Sequence, residues 1–173
     1  MEGDFPVESD ITGRLAIKFP LLEGKLQITR ERRIFADVPS DIFQDVIGFL
    51  KNEMGFDHIC TITGLDVGEE LQFIYHISDK HGIVMNLKLN VPKADPVAGT
   101  ITPLFNGAVF YERELESMLG AKIKGLPDGR RYPLFDGWPE GQYPLRKDWK
   151  PEMLTEALAQ KEQAKKQAEG GRS

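Results

Sequence analysis

The sequence predicts an α+β fold: a mixed β-sheet backed by two or so helices, with a long irregular C-terminal arm and a short terminal helix. Three observations carry this expectation. Apolar and polar residues alternate in strand-like fashion between residues 25 and 38 and again between 58 and 91. A helical spacing of apolar residues begins after Asp41. Regular spacing is lost after Gly120, in a stretch rich in Gly, Pro, Arg and aromatic residues.

The elements follow in chain order. Residues 1–13 carry Glu2, Asp4, Glu8 and Asp10 and are expected to form a flexible N-terminus. They have neither the basic start nor the apolar run of a secretory signal. Residues 25–29 and 33–38 read as strands. Ser40 is placed to cap a helix in which Ile42, Phe43, Val46, Ile47, Phe49 and Leu50 share one face, and Gly55 stops it. Residues 58–65, 71–78 and 83–91 read as strands. The turn at 79–82 joins the last two as a hairpin, with Gly82 supplying positive φ. Pro92 and Pro96 make residues 92–99 a loop. Thr100 can cap a helical turn at 101–105, and a helix fits 108–119, ending at Gly120. Residues 120–151 form an extended arm, too long for an idle loop in a compact domain. The tail at 152–173 has helix-forming composition and a thin apolar face after Leu158, so it is expected to fray. The α+β domain thus spans 14–119.

Composition excludes several function classes. The 173 residues are 40% hydrophobic and 28% charged, which suits a packed core. The net charge of -5 disfavours nucleic-acid binding. The basic pairs Arg130-Arg131 and Arg146-Lys147 are interleaved with Asp128, Asp136, Glu140 and Asp148. One cysteine, Cys60, can form no internal disulfide and supplies no zinc or iron–sulfur site; its apolar surroundings predict a buried packing role. His58, His76 and His81 lack metal-ligand spacing and read as structural. Gly125, Gly129, Gly137 and Gly141 read as turn glycines, since no strand–GxGxxG–helix or Walker pattern accompanies them. No run approaches the roughly 18–20 apolar residues that cross a bilayer, so membrane association is expected only through a partner. Glu112 and Glu116 share a helix face; with Glu114 they are expected to form structural salt bridges to Arg113 or to Arg130 and Arg131, not an acid–base pair.

Residues 109–149 hold a denser pattern. An aromatic residue precedes Glu112, Arg113 and Glu114; a short helix ends at Gly120; Gly125, Pro127 and Asp128 follow; then come Arg130 and Arg131, and finally Pro144, Leu145, Arg146, Lys147, Asp148 and Trp149. This order and spacing resemble the signature of the thirty-kilodalton subunit family of respiratory NADH–quinone oxidoreductases. Related subunits belong to complex I-like membrane-bound hydrogenases and formate hydrogenlyases. The chain departs from the family pattern at Glu116, Ser117, Leu126 and Gly129. The resemblance implies an accessory subunit with no flavin, iron–sulfur cluster or metal of its own. It implies a place in the peripheral arm, against the large catalytic subunit of quinone-site or nickel–iron type and beside other peripheral-arm subunits. The location implied is cytoplasmic, at the membrane only through the complex. The equivalent hydrogenase subunit is the alternative, and an independent soluble interaction module a second one.

The residues of the arm fit that expectation chemically. Arg130, Arg131, Arg146 and Lys147 can make charge-assisted hydrogen bonds with carboxylates. Trp138, Tyr143 and Trp149 offer apolar area with a polar handle. Pro133, Pro139, Pro144 and Pro151 reduce the entropy lost when an extended arm is ordered. Arg146 is expected to aim at a partner carboxylate, so that its loss costs roughly 2–5 kcal/mol of binding and leaves the isolated chain's folding unchanged.

Overall fold

The structure, a computed structural model, describes residues 5–170, with side chains through residue 164. The parts of the expected loose start at 1–4 and of the fraying end at 171–173 lie outside the described residues.

Five strands form one mixed sheet: β1 (Leu26–Arg30), β2 (Arg33–Asp37), β3 (His58–Asp66), β4 (Glu70–Ser78) and β5 (Val84–Pro92), in the order β1-β2-β5-β4-β3. Only the β2–β5 pair is parallel; the other pairs are antiparallel. The β4–β5 hairpin was legible for a definite reason. Asp79 accepts through Oδ1 from the backbone N–H groups of His81 and Ile83, and Gly82 takes φ +78°.

Alternation decides which face is buried. Leu71, Phe73, Tyr75 and Ile77 of β4 and Met85, Leu87, Leu89 and Val91 of β5 are buried. Their neighbours Gln72, Ile74, His76 and Ser78 are only half-buried, on the opposite face. Helix α2 (Phe43–Met54) covers the core face, its Phe43 ring 4.7 Å from that of Tyr75. Its start differs from expectation. Ile42, not Ser40, stands at the N-cap, without a side-chain hydrogen bond. A lost cap costs about 1 kcal/mol, whereas burying Phe43, Val46, Ile47 and Leu50 contributes roughly 1.5–3 kcal/mol each. Packing therefore sets where the helix begins. Gly55 ends it at φ +75°, as its position implies.

Helix α3 (Ala108–Leu119) packs on β3. It approaches closely because Gly64 has no side chain: a Cβ there would collide with Leu115 and Leu119. Two further strands, β6 (Val97–Gly99) and β7 (Lys122–Lys124), pair in parallel and tie the ends of α3 together. Neither was expected, since three residues are too few to show a period.

The expected loose start is corrected more substantially. Helix α1 runs from Pro6 to Lys18, with Pro6 in the first turn and Ile11 and Leu15 buried. Glu8 is buried too, accepting from the backbone N–H of Arg32 at 2.6 Å. That contact satisfies a backbone donor at the one non-glycine residue of positive φ among those described, Arg32 at +59°. Cys60 is half-buried, not buried, with Sγ 3.6 Å from Ser78 Oγ. His76 is structural as expected, placed between Thr63 Oγ1 at 3.0 Å and Asn86 Oδ1 at 2.6 Å. Helix α4 (Pro151–Gly170) closes the described chain. Among the described residues no helix is long and apolar enough to cross a membrane.

Candidate functional site: the arm between the third and fourth helices

The arm begins where α3 stops. Gly120 takes φ +73°, and the C-terminal carbonyls of the helix need partners. The returning end of the arm supplies them. The backbone N–H of Leu145 donates to Met118 O at 3.0 Å, and Arg146 Nε donates to Leu119 O at 2.6 Å. A cation at a helix C-terminus is also favoured by the helix dipole. Tyr143 lies over Gly120, where a Cβ would come within 2.6 Å of the ring. The Arg146 guanidinium stacks on the same ring, 4.7 Å from its centre.

The next residues are held from the sheet. Asp66, buried at the end of β3, accepts from the backbone N–H of Lys147 at 2.9 Å and of Gly68 at 3.0 Å. Lys93 bridges Asp66 at 2.8 Å and Asp148 at 3.2 Å. The Lys93 ammonium, with the Lys147 and Gly68 amides, holds the Asp66 carboxyl far below the ordinary carboxylate range, against the opposing effect of burial. Trp149 Nε1 donates to Gln142 Oε1 at 2.8 Å and Trp138 Nε1 to Gln142 O at 2.9 Å, so one glutamine holds both indoles. Residues 142–149 thus form a clasp onto their own domain.

The first limb is held from α3. Arg113 Nη2 donates to Pro127 O at 3.2 Å and Asp128 O at 3.0 Å. Gly129 is required here, because a Cβ would run into that guanidinium. Gly125 turns the chain at φ +81°. Arg130 pairs with Asp136 at 2.8 Å, and Arg131 donates to Trp138 O at 3.1 Å. The limbs enclose a polar cleft of about 350 Å³ beside Arg113, Arg130 and Arg131.

The three glutamates behave differently from expectation. Glu112 is fully buried and accepts from the Thr100 hydroxyl at 2.5 Å and the Ile101 N–H at 2.7 Å. It braces the turn before α3. Burial pushes its carboxyl upward, against those two hydrogen bonds. Burial likewise raises Glu116, which accepts from the Ile123 N–H at 3.4 Å. Among the described residues none of Glu112, Glu114 and Glu116 forms an ion pair with Arg113, Arg130 or Arg131. The arginines instead hold the arm through Pro127 O, Asp128 O, Asp136 and Trp138 O.

Large apolar side chains stay outward beside the arm's exposed charges. Tyr132 is 46% exposed, Phe135 54% and Leu145 49%, and Phe110 on α3 stacks edge-on against Tyr132 with ring centres 5.7 Å apart. Sequence reasoning missed Phe110, Tyr132 and Phe135, and it missed the anchors Asp66 and Lys93. Among the described residues no group of three or more His, Cys, Asp or Glu side chains is arranged to hold a metal.

Several known proteins are similar to this chain. The family model described as respiratory-chain NADH dehydrogenase, 30 Kd subunit, matches residues 36–153. A subunit of the F(420)H(2) dehydrogenase of Methanosarcina mazei is 33% identical over 135 residues, 76% of this chain and 85% of the relative. The membrane-bound hydrogenase subunit beta of Pyrococcus furiosus is 27% identical over 146 residues, 81% of this chain and 84% of the relative. A chain in the structure of the membrane-bound sulfane sulfur reductase, an archaeal respiratory membrane complex, shares the fold with a TM-score of 0.75 at 24% identity, over 86% of this chain and 88% of that one.

Proposed function

The chain belongs to the respiratory-chain NADH dehydrogenase 30 Kd subunit family, and from that premise we propose that it is a non-catalytic scaffold subunit of a complex I-like oxidoreductase, with the arm at 120–149 as the surface that clamps the large catalytic subunit. The observation that carries this reading is an arm whose backbone is bound to its own domain while Phe110, Tyr132, Phe135 and Leu145 stay exposed. Large apolar side chains on a pre-ordered segment are what interfaces bury at low entropic cost. The relatives support the absence of a catalytic role. Their names carry different redox partners — F(420)H(2), hydrogenase, NADH — yet they share this fold-forming subunit. A component common to different chemistries is best understood as architecture. The chain is therefore peripheral, held at a membrane through its partners. The Pyrococcus furiosus relative favours a second reading, in which the large subunit is of hydrogenase type.

Replacing Phe135 by Glu tests the clamp. It should weaken assembly by about 2 kcal/mol, roughly thirtyfold, as for an interface anchor, and cost the isolated chain less, through loss of the edge contact between Phe135 and Trp138. Retention of the full complex by the variant at wild-type affinity would remove the arm from the interface.

A further inference from the structure

Resting on that reading, we infer that the cleft between the two limbs of the arm receives a carboxylate side chain, Asp or Glu, from the large subunit. Three guanidinium groups border the cleft, with the carboxyls of Glu116 and Asp128 in the same lining. Their partners differ in kind. Arg130 is matched by the exposed carboxylate of Asp136. Arg113 and Arg131 donate only to the neutral carbonyls of Pro127, Asp128 and Trp138. Among the described residues neither has a carboxylate partner. Of the two acids in the lining, Glu116 accepts from the Ile123 amide and feels the Arg113 charge without pairing with it, and Asp128 makes no ion pair, so the donor forks of Arg113 and Arg131 stay open to a further carboxylate.

These carbonyl bonds also fix the arginines. Arg113 is locked under Gly129, and Arg131 reaches seven residues along the arm to Trp138 O. A planar fork held in place loses little freedom on binding and favours a two-point carboxylate over a single-point acceptor. The volume of about 350 Å³ is at the low end of small-ligand pockets, roughly 300–1,000 Å³. It has room for one acidic side chain with its flanking backbone, not for a helix. Ile123, Leu126 and Tyr143 in the lining supply apolar surface beside the pair.

The test is made on the assembled complex. Arg131→Lys keeps the charge and adds a primary amine, which a zero-length carbodiimide joins to a carboxylate in direct contact, with loss of water. Arg130→Lys receives the same treatment, in case the first variant disturbs the arm. A photo-activatable side chain at Leu145 reads the clamp separately. The expected result is an amide link from position 131 or 130 to an Asp or Glu of the large subunit, located by mass spectrometry. Links only to this chain's own acids, or none, with photo-capture of the large subunit at position 145, would overturn the cleft and leave the clamp. Failure of both would overturn both.

Discussion

The Arg146 guanidinium donates at 2.6 Å to the last carbonyl of α3 and stacks on Tyr143, so its first task is intramolecular. Family resemblance alone pointed it at a partner carboxylate. Two motifs distant in sequence, the end of α3 and the Pro144–Asp148 segment, turn out to be recognising each other. A charge-assisted hydrogen bond is worth roughly 1.5–3 kcal/mol, and the site is half-buried. Arg146→Ala should therefore destabilise the isolated chain by about 2 kcal/mol in urea unfolding, and Arg146→Lys by less. A loss below about 0.5 kcal/mol, with assembly abolished, would return Arg146 to the partner. Glu112 teaches the same lesson in the other direction. Its place in a dense motif suggested an ion pair, but a fully buried carboxylate bonded to a hydroxyl and an amide is a brace.

At the scale of elements, the arm is an irregular segment ordered by its anchors, and Asp66 is the one most sensitive to conditions. Its folded-state pKa is depressed, so its contribution is full above the unfolded carboxylate value, near pH 4, and is lost as the pH falls toward the depressed folded value. Acid should therefore release residues 145–149 from β3. We expect Trp138 and Trp149 fluorescence to report this below about pH 4, and Asp66→Asn to show the released signal already at neutral pH. Identical acid profiles for the two proteins would exclude Asp66 as the anchor. The elements themselves were legible to different degrees. The alternation of β4 and β5, the apolar face of α2 and the glycines that end α2 and α3 were all visible in the sequence. Helix α1 was not, because Ile11 and Leu15 are sparse among acidic neighbours and its packing is settled by a distant contact, Glu8 to Arg32. The anchors of the arm were hidden for the same reason: Asp66 and Lys93 lie far in sequence from the residues they hold.

On the scale of the whole molecule, the helices α2 and α3 gather on one side of the sheet and the arm folds back over the end of α3 and β3. The hidden side of the domain supplies stability. The displayed side carries Phe110, Tyr132, Phe135 and the arginine-bordered cleft. This division of labour is the central claim: a stable scaffold that presents a pre-ordered arm to a large subunit. The segment from Val109 to Trp149 was legible as the candidate region because its motifs are dense. Which of its residues face inward was not, because that depends on the return of the chain at Tyr143. Amide hydrogen exchange, compared between the free chain and the assembled complex, tests the claim most directly. Residues 142–149 should already be protected in the free chain, and residues 127–138 should gain protection on assembly; an arm that exchanges alike in both states, with protection gained elsewhere on the domain, would exclude this arrangement.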